Sequence, residues 1–226
     1  VEKIARVALW TTFNNPTNIL MSGCLFDEGI KLDRESWFSV TPENVAWHIA
    51  NKYVYDVVLD AFCGAGGNTI QFAHTSKKVI AIDIDPEKIS MARHNATVYG
   101  VADRIEFIVG DFFELAPTLK ADMVFLSPPW GGPNYTDYDL ETMLEPKPAS
   151  ELMQVARTIS PTIAFYLPRN SRPDQSGPSS LGHRCSVQIH QLIMFSLLRH
   201  TSFCLSLCEK QTDIYLAGAV IGVDNS

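Results

Sequence analysis

Ser127-Pro128-Pro129-Trp130 follows directly on the apolar run Met123-Val124-Phe125-Leu126, and these residue types at this spacing suit one kind of chemistry. Neither proline has a backbone N–H to donate, so the chain cannot continue a strand ladder and must leave as a stiff loop. Gly131 and Gly132 let that loop bend sharply beyond the tryptophan. Carbonyl oxygens, the Ser127 hydroxyl and an aromatic face are thereby gathered in one place. Such a loop can hold a flat base by its exocyclic amine while the ring stacks on it. The bland alternative is a proline-rich strand exit with Trp130 in the core, and the rest of the chain decides between the two.

Three further segments each close an apolar run with an acid: Val57-Val58-Leu59-Asp60, Val79-Ile80-Ala81-Ile82-Asp83, and Ile105 to Val109 followed by Gly110-Asp111-Phe112. The first runs into Phe62-Cys63-Gly64-Ala65-Gly66-Gly67-Asn68 and then a helix from Thr69 to about His74. Glycines at such a turn let backbone approach a ligand closely, but the spacing is Gly-x-Gly-Gly and lacks the third glycine of the dinucleotide fingerprint. Asp60 ahead of the loop suits a cationic amino-acid group better than a phosphate. Asp83 is placed to accept both hydroxyls of a ribose, and Asp111 to accept from an adenine amine while Phe112 packs on the ring. One acid at a strand end is ordinary; three at the same sheet edge point to S-adenosylmethionine.

The elements that must position these residues read as a doubly wound, mostly parallel α/β sheet. Thr41 as N-cap and Pro42 in the first turn open a helix to about Lys52. Pro86 opens another, with Ile89, Ala92 and Ala96 on one face. A helix near Ser150 to Thr158 leads to a fifth strand, Ile163 to Leu167. Asn134 to Pro148 is polar and proline-flanked, and reads as a mobile surface loop beside the site.

In order, Phe26-Asp27-Glu28-Gly29-Ile30-Lys31-Leu32-Asp33, Trp37-Phe38-Ser39-Val40-Thr41-Pro42-Glu43, Asp60-Ala61-Phe62-Cys63-Gly64, Ile82-Asp83-Ile84-Asp85-Pro86, Leu126-Ser127-Pro128-Pro129-Trp130-Gly131-Gly132-Pro133 and Leu167-Pro168-Arg169-Asn170 resemble the trimethylguanosine synthase family. Ser-Pro-Pro-Trp alone resembles a motif of amino-methyltransferases at large; six segments in register are far more specific. The resemblance implies a class I, Rossmann-like methyltransferase with an antiparallel last strand, methylating the exocyclic amine of the 7-methylguanosine cap of small nuclear and nucleolar RNAs. It implies S-adenosylmethionine contacts at Ser39, Thr41, Asp60, Phe62, Cys63, Gly64, Gly66, Asn68, Thr69, Asp83, Ile84, Asp111 and Phe112. Ser127, Pro128 and Trp130 would be catalytic, while Lys31, Trp130, Arg169 and Asn170 would hold the cap. Capped RNA and ribonucleoprotein adaptor proteins are the implied partners, and the nucleus (nucleolus or Cajal body), with the cytoplasm as a further site, the implied location.

Displacement at a sulfonium needs nucleophile, carbon and sulfur in line, so positioning is the main contribution a protein can make. His48, His74 and His94 read as helix positions rather than general bases. The positive charge of a 7-methylated base favours the electron-rich face of Trp130, worth about 2 kcal/mol when desolvated. Two other readings stand beside this one: an amino-methyltransferase acting on adenine or guanine in DNA or ribosomal RNA, and a catalytically disabled cap-binding relative. Gly29 to Asp33 and Pro168-Arg169-Asn170 separate the first reading from the second; ligand binding without turnover would mark the third.

The ends depart from the resemblance, which covers Phe26 to Asn170. Residues 1–25 form a divergent extension, 26–170 the methyltransferase core, and 171–226 a sheet-edge region. Val187 to Gln191 resembles a sixth strand and Lys210 to Gly218 a seventh, returning antiparallel. Between them, Leu192 to Cys208 is apolar and has no counterpart; of an unusual insertion and non-native translated sequence from a faulty gene model, the second is favoured. Formal charge is −7, which argues against a sequence-blind grip on duplex nucleic acid but not against a small capped end. Five cysteines without paired spacing point to a reducing compartment and no zinc site. Val1 to Leu20 carries Glu2, three asparagines and Pro16 instead of an apolar core, so it does not read as a secretory signal. Leu192 to Leu207 is too short and too broken for a membrane span.

Overall fold

A computed structural model describes residues 29–129 and 139–167, together with the backbone of 206–208, 213–216 and 219–221. The first five strands are β1 (Val57–Asp60), β2 (Lys78–Asp83), β3 (Ile105–Val109), β4 (Met123–Leu126) and β5 (Ile163–Leu167). They pair in parallel in the order β3-β2-β1-β4-β5. Helices α1 (Ser36–Ser39) and α2 (Glu43–Lys52) precede β1, and α3 (Gly67–Thr75), α4 (Pro86–Val98), α5 (Phe112–Leu115) and α6 (Ala149–Ile159) fill the crossovers. This is the predicted doubly wound sheet, with the strands within a residue or two of their expected limits.

Side-chain alternation explains why the sheet is covered on both faces. Leu59, Ile80, Ile82, Val124, Leu126, Ile163, Phe165 and Leu167 meet Leu152, Met153, Ala156 and Ile159 of α6 in one core. Their strand neighbours Val58, Val79, Ala81, Met123, Phe125, Ala164 and Tyr166 meet Ile49, Ile70, Ile89, Ala92 and Ala96 of α2, α3 and α4 in the other. Period-two geometry sends successive residues to opposite faces, so strands buried on both faces read as unbroken apolar runs. The strand order reverses between β1 and β4, and at that switch point the crevice beyond the strands' carboxyl ends opens for a ligand.

Four expectations need correction. Pro42, not Thr41, occupies the N-cap position of α2 and no side chain caps it, because the Thr41 hydroxyl is engaged by Asn68. The stretch before α6 is not a loose surface loop over its described part, 139–148: Leu140 and Leu144 are buried in the first core. Glu141 also accepts from the backbone and hydroxyl of Ser150. Strand β7 (Asp213–Leu216), within the segment read as an antiparallel return, instead runs parallel to β5. An apolar run can pair in either direction, so its composition does not set the sense of the pairing. The antiparallel final strand is β8 (Ala219–Ile221), paired with β7. Strand β6 (Ser206–Cys208), from the end of the stretch read as foreign, touches β5 at Ile163 through Cys208. Val187 to Gln191 lies outside the described residues.

Candidate active site

Parallel pairing brings all three strand-end acids to one edge: Asp60 stands beside Ala81 and Phe125, and Asp83 beside Val109. Asp60 is 1% exposed. Its Oδ2 accepts from the Thr69 hydroxyl at 2.6 Å, while its Oδ1 is buried and has no hydrogen-bond partner among the described residues. Burial drives its pKa up to about 7 against the pull of the Thr69 and Phe62 hydrogen bonds, and the charge of Asp83 adds to the rise. An enclosed carboxylate with an open oxygen and, among the described residues, no cation beside it is costly by itself, which is the arrangement a cationic ligand would complete.

Asp83 is locked in place by backbone donors: Oδ2 accepts from Gly64 at 2.8 Å and Oδ1 from Asp85 at 3.0 Å. Desolvation raises its pKa, opposed by those two bonds. Each oxygen keeps a further lone pair, as a ribose diol requires. The adjoining Ile84 is 70% exposed, an apolar surface left open beside the acid. Gly64 and Gly66 adopt φ of +52° and +91°, conformations that favour glycine. A Cβ on Gly66 would also lie 3.1 Å from that of Ala92, so the loop is pressed onto α4 as well as turned. Asn68 donates to Thr41 Oγ1 at 2.8 Å and keeps a buried Oδ1 without a partner among the described residues.

Other expected contacts meet a different environment. The Phe112 ring is 2% exposed and packs on Phe62 and Phe113 at centroid distances of 5.8 and 5.5 Å. It is core, so a ring face for adenine is not offered there. Asp111 Oδ1 accepts from Phe113 at 2.8 Å and caps α5. Cys63 is buried, which pushes its thiol well up, and its carbonyl accepts from Gly66. Ser39 is exposed and its hydroxyl donates back to Glu35.

On the acceptor side Ser127 is half-buried and Pro128 buried. The Ser127 hydroxyl donates to the Phe62 carbonyl at 3.3 Å, tying the proline loop to the glycine loop and leaving the oxygen's lone pairs free to accept. Trp130, Arg169 and Asn170 lie outside the described residues. Lys31 is exposed, and among the described residues no ion pair engages it. Its backbone is gripped by Asn95, a residue that sequence reasoning passed over. The signal was available: Asn95 is a polar residue on the buried face shared by Ala92 and Ala96. Of the histidines, His48, His74 and His94 do sit on helices, and His94 pairs with the Gly29 carbonyl. Among the described residues no group of His, Cys, Asp or Glu is arranged to hold a metal ion, and no helix is long and apolar enough to cross a membrane.

Residues 55–205 match a family model described as RNA cap guanine-N2 methyltransferase. The chain is 46% identical to the trimethylguanosine synthase of Schizosaccharomyces pombe over 73% of its length and 72% of that protein. It is 41% identical to the trimethylguanosine synthase of Saccharomyces cerevisiae over 65% of its length, spanning half of that protein. Among solved structures, a putative methyltransferase from Porphyromonas gingivalis aligns with a TM-score of 0.58 at 18% identity, covering 72% of this chain and 39% of that one. An rRNA methylase from Streptococcus thermophilus aligns at 0.50 and 15% identity, covering 82% and 98%. These likenesses show the fold. The family match and the yeast relatives go further than fold: this chain belongs to the RNA cap guanine-N2 methyltransferases, enzymes that use S-adenosylmethionine to methylate the cap guanine.

Proposed function

We propose that the chain converts the 7-methylguanosine cap of small nuclear and nucleolar RNAs to its di- and trimethylguanosine forms, with residues 26–170 as the catalytic core. S-adenosylmethionine supplies an electrophilic methyl on a sulfonium. Asp60 faces the cationic amino-acid end and Asp83 the ribose hydroxyls. Ile84 and Asp111 flank the adenine, and the backbone of Phe62, Cys63, Gly64 and Gly66 lines the approach. Ser39, Thr41, Asn68 and Thr69 enclose the amino-acid end. The observation that carries this assignment is the buried Asp60 Oδ1, without a hydrogen-bond partner among the described residues and beside two left-handed glycines.

The acceptor amine needs aiming more than deprotonation. The Ser127 hydroxyl oxygen and the Ser127 and Pro128 carbonyls accept from the guanine amine and direct its lone pair toward the methyl. Trp130 stacks on the cationic base, and Lys31, Arg169 and Asn170 hold the cap triphosphate. The tie from Ser127 to Phe62 supports this reading, since it joins acceptor and donor loops. An acidic domain acting on RNA is expected to receive its substrate from ribonucleoprotein adaptors, in the nucleolus or Cajal body. The experiment is transfer of labelled methyl to a 7-methylguanosine cap dinucleotide beside an unmethylated cap. Label in the first alone is expected; equal label in both, or transfer only to uncapped RNA, would overturn the proposal.

A further inference from the structure

Helix α4 carries one amide on its buried face, and that amide joins two parts of the site. Asn95 is 2% exposed. Its Oδ1 accepts from the Lys31 N–H at 2.8 Å, and its Nδ2 donates to the Lys31 carbonyl at 2.9 Å and to the Ala65 carbonyl at 2.9 Å. The first two bonds grip both backbone groups of one residue, as a neighbouring strand would. The third fastens that grip to the glycine loop, at the residue between Gly64 and Gly66. The same helix completes the docking of the preceding segment. His94 Nε2 lies 2.9 Å from the Gly29 carbonyl, and Lys88 Nζ reaches Asp33 at 2.7 Å, Ser36 Oγ at 3.0 Å and Glu35 at 3.1 Å.

We propose that Asn95 is a positioning residue that sets Lys31 at a fixed offset from the donor loop, so that the lysine meets the cap triphosphate when the guanine amine is aligned with the methyl. The proposal rests on the reading of Lys31 as a phosphate-holding residue. A lysine head on a flexible stem is a compact point charge with little geometry of its own; its aim depends on where its backbone is fixed. None of the three Asn95 side-chain bonds stays within α4. All of them join the Lys31 segment or the glycine loop to the helix. An amide serving stability alone would affect the base and the phosphates of the cap alike, which separates the two roles.

The test is binding of 7-methylguanosine triphosphate and of the phosphate-free 7-methylguanosine nucleoside to wild type, Asn95→Ala, Lys31→Ala and the double variant. Losing one charged phosphate contact is expected to weaken the triphosphate about tenfold in each single variant. The nucleoside should change by less than about twofold, and the double variant should be no weaker than the worse single one. If Asn95→Ala weakens both ligands equally, or adds its full loss to that of Lys31→Ala, the positioning role is overturned. If Lys31→Ala alone changes nothing, the phosphate reading of Lys31 falls first, whatever Asn95 does, and the positioning role with it. Should Asn95→Ala not fold, hydrogen exchange of the wild-type Lys31 amide decides. Protection like that of central α4 amides supports the clamp, and exchange at the rate of an open loop overturns it.

Discussion

The donor half of the site and the acceptor half are built by different means. Asp60, Asp83 and Asp111 reach one edge because β1, β2 and β3 are parallel and in register. Their separations follow from strand spacing, and the glycine loop follows from the turn between β1 and α3. The acceptor half has no such frame. Lys31 precedes the first strand and is held by two bonds from its backbone to Asn95, while Ser127 leaves β4 and is tied by its hydroxyl to the Phe62 carbonyl. On the proposed assignment the difference teaches where each property would reside: methyl-donor binding in the fold, and cap recognition in irregular segments tethered onto it.

The largest effect should come from the buried acid. Asp60→Ala is expected to weaken S-adenosylmethionine about a hundredfold by removing charge-assisted contacts to the amino group, with cap-analogue binding changed far less. Calorimetry on the folded variant checks it, and equal losses on both ligands would break the separation of the halves. Asp83→Ala should cost about tenfold or more in donor affinity through the lost ribose hydrogen bonds. Unchanged affinity would remove the ribose assignment.

Proton linkage gives a graded test of the same half. The Asp60 pKa rises from its ordinary value of 3.8 to about 7 in the folded chain. Its protonated form therefore contributes stability that is full below 3.8 and is lost as pH rises through about 7. The melting temperature of ligand-free protein should fall across that window, and less so in Asp60→Asn. Binding the cation needs the carboxylate, so donor affinity should fall up to about tenfold per unit as pH drops below 7 and flatten above it. A flat profile in wild type would remove Asp60 as the cation's partner. The smallest effect falls on the tether between halves. Ser127→Ala should lower kcat by about tenfold, the order of one transition-state contact, with KM for donor and cap nearly unchanged; a raised donor KM alone would place Ser127 in the donor half.

Legibility in the sequence follows the same divide. Strand-end acids are readable because a strand announces itself as an apolar run and its last residue is then placed by the sheet. The core beneath them was equally plain, since both faces of β4 and β5 are apolar. The place of Asn95 on a buried helix face marks it as a polar residue in need of partners, but those partners, Lys31 and Ala65, are 64 and 30 residues away and no local pattern names them. Phe112 is ambiguous for a related reason: an aromatic after a strand-end acid suits a ligand as well as a core, and the packing of its ring on Phe62 is not written in the local sequence. The direction of β7 was likewise hidden, because an apolar run does not state which way its neighbour runs.

Trp130→Ala tests the separation of the halves most directly, with S-adenosylhomocysteine and 7-methylguanosine triphosphate titrated by calorimetry into the same folded preparation. Cofactor affinity within about twofold of wild type is expected, together with a loss of cap affinity of at least about tenfold, the worth of a desolvated stack on a cationic base. Retained cap affinity, or loss of both ligands together, would contradict the account.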